Sequence, residues 1–579
     1  MAQSLNTLQT EVLVVGGGGA ACRAALEADM AGADTVLAVK GAFASIGVRG
    51  SGSTAGGVSD RGGVQSLGLA GIQGFDPGGV PIKVQQDYAN IIQLGLGMTD
   101  PKLARIMAEQ SYDIMMPLVE DWSREVIPRQ WGMKSHGIPI MFGLTRMLRK
   151  SKVKIMEHTM VTHLLKEDDR IAGAVAVDEY SGEVTVIKVG AVFLGTGGMA
   201  GLFKHTTAAP ECTGDGHAMG FRAGAQLMNV EFKQVFPGVI YPTINHFSAW
   251  WFVPYVKIYN ALGEEYIERY LPEGITLEMV YQQRGSHGPF SARDSASRYF
   301  DVATVIETKE GRANEHDALY VDLTDPRVKD PLAKPRRDYF YYRGVRYLEE
   351  PIQFNICFHC SNGGIRLDEN GMSTVPGLYA AGECASGPHG ANRLAGHMLG
   401  ATQVFGAIAG RHAAQNTKGR RSPQLRSSSI QEALDEIQRF RSKREGEKPS
   451  QVIKDLKKLA WDNMLVHINE QTLDLALKGI ADIRDSRLKN LKVENTDDLI
   501  EALELNNLVV VGEILARTTQ MRKESRGDLY REDYPERDDI NWLEVITVDN
   551  KDGEILLGAE VIDPDWSDRE GDMQGYRWG

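Results

Sequence analysis

A run of small residues, Gly16-Gly17-Gly18-Gly19-Ala20-Ala21, lies between the apolar, β-branched stretch EVLVV at 11–15 and a segment with helical apolar spacing. It fits the pattern GxGxxG/A. Gly16 permits a tight turn, Gly18 lets the backbone approach a pyrophosphate, and Ala21 allows close packing of the helix that Gly19 and Ala20 open. The N–H groups and positive dipole end of that helix are suited to phosphates. In a nicotinamide site an acid follows the second strand; here Val39-Lys40 stand at that place, which breaks the simple NAD fingerprint and puts Lys40 among the expected cofactor contacts. A second motif, Cys357-Phe358-His359-Cys360, has C-x-x-C spacing with a histidine inside, a pattern open to metal or redox chemistry. The other cysteines, Cys22, Cys212 and Cys384, are isolated and offer no second ligand pair, so no metal or iron–sulfur cluster is expected in this chain. Five cysteines at irregular positions suit a reducing compartment and a cytoplasmic location.

Such residues need a scaffold, and the glycines locate it. They number 62 of 579, against a usual share of about 7 %, and cluster at 16–19, 47–57, 195–201 and 377–400. With TVLAVK at 35–40 the first cluster completes a βαβ unit. Helical periodicity follows an Asp cap over 100–122, strand-like alternation fills 152–193, and its last strand runs into Gly195-Thr196-Gly197-Gly198. Between 236 and 347 the texture turns aromatic and charged, as an inserted domain would; strand and glycine texture returns over 350–410. Residues 417–429 form a polar linker, 430–523 read as a helical bundle, and the acidic tail after 550 is expected at the surface. The length suits two to four domains of roughly 150 residues each. A formal net charge of −13 excludes a general nucleic-acid binder. No apolar run of 18 residues and no secretory signal is present, so membrane association is expected only through a partner subunit.

Four blocks together, VLVVGGGGAA at 12–21, AVFLGTGG at 191–198, VPGLYAAGEC with HGANRL at 375–394, and ESRGDLYREDYPERDDINWL at 524–543, resemble the flavoprotein subunit of succinate dehydrogenase and fumarate reductase. That family also contains L-aspartate oxidase and the alpha subunit of adenylylsulfate reductase. The resemblance implies an α/β fold: a Rossmann-like FAD-binding domain (1–235 and 348–416) interrupted by an α+β capping domain (236–347), then a helical domain (430–530) and a C-terminal extension (531–579). It implies that Glu383 binds the ribityl or ribose part of FAD, that Thr196, Gly197 and Gly198 line the adenosine side, and that Asp215 lies beside the flavin. Asn392, Met398 and Leu399 complete the expected cofactor contacts. Members with covalent FAD carry a histidine in the stretch that corresponds to Arg49–Gly57. None stands here, so FAD is expected to be non-covalent, with Ser51, Gly52, Ser53, Thr54, Gly56 and Gly57 running past the ring.

By the same resemblance Arg293 in Ser291-Ala292-Arg293-Asp294 is the proton donor, and His359 and Arg393 bind a substrate carboxylate. Read without it, Arg293 is an ordinary ion-pair partner and His359 a satisfied core histidine. Three departures mark the substrate side. The second substrate histidine is replaced by Phe236, the Thr-Glu pair and relay arginine fall on Ser248, Ala249 and Phe252, and an Asn-Ser-Leu stretch has become His397-Met398-Leu399. Ala249-Trp250-Trp251-Phe252 has the texture of the adenylylsulfate reductase branch, and its aromatics either enclose a bulkier, less charged substrate or build the cap's core.

The expected activity is hydride transfer between flavin N5 and a carboxylate-bearing small molecule of the succinate/fumarate type, with an iron–sulfur protein exchanging the electrons. An L-aspartate oxidase-like or adenylylsulfate reductase-like enzyme, and an electron-transfer subunit without its own substrate site, remain open.

Overall fold

The stretch EVLVV is apolar on both faces because both are covered: β1 (Asn6–Val15) lies inside a mixed seven-stranded sheet. The computed structural model describes residues 6–43, 84–118, 137–209, 211–246, 251–285, 290–292, 296–330, 334–393, 397–419 and 425–565. Next to β1 come β2 (Thr35–Ala38) and β3 (Lys154–Met156) on one side, all parallel. On the other side β6 (Val184–Leu194) continues the antiparallel strands β4 (Thr159–Glu167) and β5 (Arg170–Asp178). On its side away from β1, β6 serves two neighbours: its first residues pair with β5, and Val192–Leu194 pair in parallel with a returning strand, Leu378–Ala380. The first glycine cluster and the two after β6 and Leu378–Ala380 therefore sit at the carboxyl ends of adjacent parallel strands, where open α/β sheets form their ligand crevice.

Helix Gly19–Met30 crosses helix His397–Thr417 at backbone distance. A Cβ on Gly406 or Gly410 would fall 2.9 Å from Ala20 O or 2.4 Å from Ala24 O, so the small residues of both helices are a packing requirement. Asp100 caps helix Pro101–Pro117 by accepting from Lys102 N at 2.8 Å.

β7 (Leu227–Met228) leads into a second, antiparallel five-stranded sheet. Its centre is β8 (Lys233–Tyr241) paired with the strand Ile352–Ser361, and β9 (Asn245–His246), β10 (Lys257–Tyr259) and β11 (Leu319–Asp322) complete it. This sheet spans 233–361 of the chain, wider at both ends than the 236–347 expected from texture. Trp251 is fully buried against Phe340 and Tyr347, which makes it cap core; Trp250 lies outside the described residues.

Four longer helices, Ser427–Arg441, Pro449–Met464, Glu470–Asp485 and Thr496–Met521, form the helical region. The chain then returns: the strand Val545–Lys551 pairs with β7 and carries the edge strand Glu554–Glu560, so the C-terminal extension adds two strands to a third sheet. Buried Arg522 and Arg526 fasten the return by sharing Glu524, and Arg522 also meets Glu231 at 2.9 Å. Among the described residues no helix is long and apolar enough to cross a membrane.

Candidate active site

Gly16 ends β1 at φ +120°, a conformation side chains rarely adopt, and a Cβ there would meet Gly195 O at 2.3 Å. Gly195 in turn lies against Ala21 N, and Thr196 Oγ1 accepts from Gly216 N at 3.0 Å. Gly18 stands at the N-cap of helix Gly19–Met30 with no side-chain cap, so the first helical N–H groups face the mouth of the turn. Gly198 approaches a side chain as closely: a Cβ there would lie 2.0 Å from Glu383 Oε1. Glycine turns from three distant parts of the chain thus meet at the carboxyl ends of adjacent parallel strands, where sheets of this kind bind dinucleotides. Met398 and Leu399 are half-buried in the first turn of helix His397–Thr417, and Asn392 is buried just before it.

Lys40, just past β2, is tied down on every side. Its Nζ donates to Thr213 Oγ1 and Asp215 Oδ2, both at 2.8 Å, and pairs with Glu504 Oε1 at 2.9 Å. Burial pulls the ammonium down, but Asp215 and Glu504 outweigh it and hold the group above the usual lysine value. Asp215, at the start of helix Asp215–Ala223, also accepts from Thr213 at 2.9 Å and Asn507 at 2.8 Å. Burial raises its carboxyl; Lys40 and the hydrogen bonds more than offset this, and it stays ionised below the usual range. Where a nicotinamide site has a lone acid, this chain has one cation between two carboxylates, and the helical region contributes Glu504 and Asn507 to the cluster.

The substrate-side residues gather on β8 and its partner strand Ile352–Ser361. Register shifts between Phe358 and Cys360, so His359 is the extra residue of a β-bulge, a device that re-aims a side chain. Its Nδ1 meets Thr207 Oγ1 at 3.0 Å, and its ring meets the edge of Phe236 with centroids 4.8 Å apart. Arg393 is buried and donates through Nε at 3.0 Å and Nη2 at 2.7 Å to one oxygen, Gln234 Oε1. Gln234 Nε2 reaches Asn392 Oδ1 at 3.4 Å, and Cys360 Sγ reaches Gln234 Oε1 at the same distance. Both thiols of the C-x-x-C motif are buried and pushed up, Cys360 to about 12, so neither is a thiolate. Among the described residues no group of three or more His, Cys, Asp or Glu could hold a metal ion.

The residues expected on the cofactor side and on the substrate side meet. Ser361 N, two residues beyond His359, donates to Glu383 Oε1 at 3.0 Å. Burial pushes Glu383 up to about 7 against the opposing pull of Ser361 N and Arg393. Asp528, buried and likewise raised to about 7, accepts from Asn362 Nδ2 at 2.6 Å and faces Arg393, Gln234 and Lys233. Burial lowers Lys233 to about 8 despite Asp528 and Glu231, and its Nζ has no hydrogen-bond partner. On the far side His397 Nε2 stands 3.6 Å from Asp87, whose carboxyl burial lifts to about 8. Buried ionisable groups with values near neutrality mark a functional site.

Arg293 and the loop with Ser51, Gly52, Ser53, Thr54, Gly56 and Gly57 lie outside the described residues, as do Ser248 and Ala249. The segment leading to Arg293 is held by Ala292 N donating to Gly527 O at 2.7 Å, beside Asp528. Phe252 packs edge-on to Phe300 in the cap. Gln234, Thr207, Asp528, Asp87 and Glu504 are site residues that sequence reasoning misses, and no local spacing distinguishes them.

Residues 122–399 match the FAD binding domain family, and residues 453–566 the fumarate reductase flavoprotein C-terminal family. The chain is 31% identical over 452 residues to the succinate dehydrogenase flavoprotein subunit of Rickettsia bellii, covering 74% of this chain and 72% of that one. It is 28% identical over 411 residues to the fumarate reductase flavoprotein subunit of Haemophilus influenzae, covering 68% of this chain and 67% of that one. The fold is that of Sdh1 of Mycobacterium smegmatis, with a TM-score of 0.81 at 23% identity, covering 97% of this chain and 96% of that one. The glycine turn at 16–21 precedes the matched FAD span, so its place among these turns rests on the backbone geometry above. The meeting of the glycine turns, the four-block sequence pattern and the extent of these matches lead to one conclusion: the chain belongs to the FAD-dependent succinate dehydrogenase/fumarate reductase flavoprotein family.

Proposed function

We propose that this flavoprotein catalyses a two-electron transfer of the succinate/fumarate type on a carboxylate-bearing small molecule, with FAD held non-covalently and an iron–sulfur partner exchanging the electrons. The observation that carries the reading is the contact of Ser361 N with Glu383 at 3.0 Å, which joins the strand bearing His359 to the cofactor-facing glutamate, with Arg393 facing the same carboxylate. When bound, FAD supplies the hydride donor or acceptor at N5. Arg393, oriented by Gln234, binds the substrate carboxylate, and its charge and planar fork suit that anion. His359, fixed by Thr207, orients the substrate through a hydrogen bond. Arg293 moves the proton at the substrate carbon. Gly16, Gly18 and Gly198 with Glu383 hold the cofactor, and the Lys40–Asp215 ion pair lies beside it.

The test is anaerobic reoxidation of the reduced holoprotein by fumarate and other unsaturated acids, and reduction of the oxidised form by succinate and aspartate. A reacting carboxylate is expected, with turnover lost in Arg393→Ala and Arg293→Ala at unchanged FAD content. Parent rates in both variants would overturn the assignment. Acid denaturation should release FAD into the supernatant; flavin that stays with the precipitate would overturn non-covalent binding.

A further inference from the structure

Within β8 from Lys233 to Val239, and within its partner strand from Phe354 to Ser361, every residue is buried except Phe236 and His359. These two touch, centroid to centroid at 4.8 Å and 70° between planes, so the partly exposed residues of the two strands stand side by side. Two residues before Phe236, Gln234 holds Arg393 with both bonds on a single oxygen. Residues i and i+2 of a strand share a face and stand about 6–7 Å apart. Gln234, which holds Arg393, and the Phe236 ring therefore lie on one face of β8.

A carboxylate seated on Arg393 directs the rest of its molecule toward Phe236 and His359. The phenyl ring contributes apolar surface there and no donor for a second carboxylate, whereas it packs well against an alkyl or aryl group. Lys233, next to Gln234 in the strand, lies buried and faces Asp528 and Glu231. Resting on the reading above, we propose that Phe236 is a specificity-determining residue that selects a monocarboxylic 2-enoate bearing an apolar or aromatic 3-substituent, or its saturated counterpart, over a four-carbon dicarboxylate. The chemistry is otherwise that of the proposed reaction: the double bond takes a hydride at one carbon and a proton at the other, and reduced FAD is oxidised.

The experiment compares 3-phenylpropenoate with fumarate as oxidants of the anaerobically reduced holoprotein. It also compares 3-phenylpropanoate with succinate for binding by calorimetry, a readout independent of turnover. The aryl acids should be favoured in kcat/KM and in Kd by at least about fivefold, the low end of what one unpaired buried polar group costs. Phe236→His should shift the ratio toward the dicarboxylates, and Phe236→Leu, which keeps the wall apolar, should preserve the order and controls for folding. A parent that prefers fumarate and succinate overturns this proposal and leaves the carboxylate reading standing. If neither class binds more weakly to Arg393→Ala than to the parent, both fall.

Discussion

Replacing Gln234 tests how the anion clamp is held. Two N–H groups of Arg393 donate to one oxygen, Gln234 Oε1, at 3.0 and 2.7 Å, and both side chains are buried. Gln234→Met keeps the volume and removes the acceptor. A hydrogen bond to a charged group is worth about 1.5–3 kcal/mol; because both bonds end on one atom, the loss is about 2–3 kcal/mol for the pair rather than twice that. At 1.36 kcal/mol per decade this becomes roughly 30- to 150-fold in kcat/KM. The effect should fall mainly on KM, since a carboxylate is bound alike before and during reaction. Gln234→Glu adds the opposite perturbation, a carboxylate that competes for Arg393, so its activity should recover as pH falls and the new acid takes up a proton. The assay is anaerobic steady-state reoxidation with the acid found active, with FAD content and melting temperature as controls. Unchanged kcat/KM in Gln234→Met at full FAD content would refute the idea that Gln234 positions the clamp.

Three further outcomes follow from other parts of the site. Lys40→Met leaves Asp215 and Glu504 buried without their cation, which should cost about 3–5 kcal/mol and appear as a lower melting temperature with partial loss of FAD; a parent-like melt would show that the cluster is not a true ion pair. Gly198→Ala places a methyl group on the Glu383 carboxylate and should lower FAD occupancy of the purified protein, whereas full occupancy would mean that Glu383 can step aside. Asp528, raised to about 7 by burial, keeps a proton in the native state that the unfolded chain releases near pH 4. The native state therefore binds more protons across that window, and the stabilisation present below about pH 4 is lost as pH rises through 7. Asp528→Asn should flatten the decline of melting temperature between those limits, and an unaltered decline would assign it to other groups.

The inner strands of the first sheet could be anticipated from EVLVV, TVLAVK and AVFLG because strands buried on both faces write themselves as unbroken apolar runs. Helix Pro101–Pro117 was marked by its Asp cap, for the cap is a contact between neighbours in sequence. The capping domain's limits were harder to read: β8 begins at Lys233 and its partner ends at Ser361, inside glycine-rich texture that belongs by composition to the cofactor domain. The last two strands were hidden for a related reason. Glu554–Glu560 is a partly exposed edge strand set within an acidic stretch of sequence that reads as a tail, and only the pairing of Val545–Lys551 with β7, more than 300 residues earlier, makes it part of a sheet.

The sequence alone determined the cofactor class, since a chain that must pass a pyrophosphate, turn at positive φ and pack helix on strand admits little beyond glycine and alanine, and these demands fall within a few consecutive residues. It also exposed the missing histidine and the aromatic replacements. Tertiary structure decided what those residues face: Glu504 beside Lys40, Gln234 beneath Arg393, Glu383 over Gly198, and Phe236 against a histidine turned by a bulge. Each pairing joins segments far apart in the chain, and strand register and helix packing, not local spacing, set the ångström distances on which hydrogen bonds and buried charges depend.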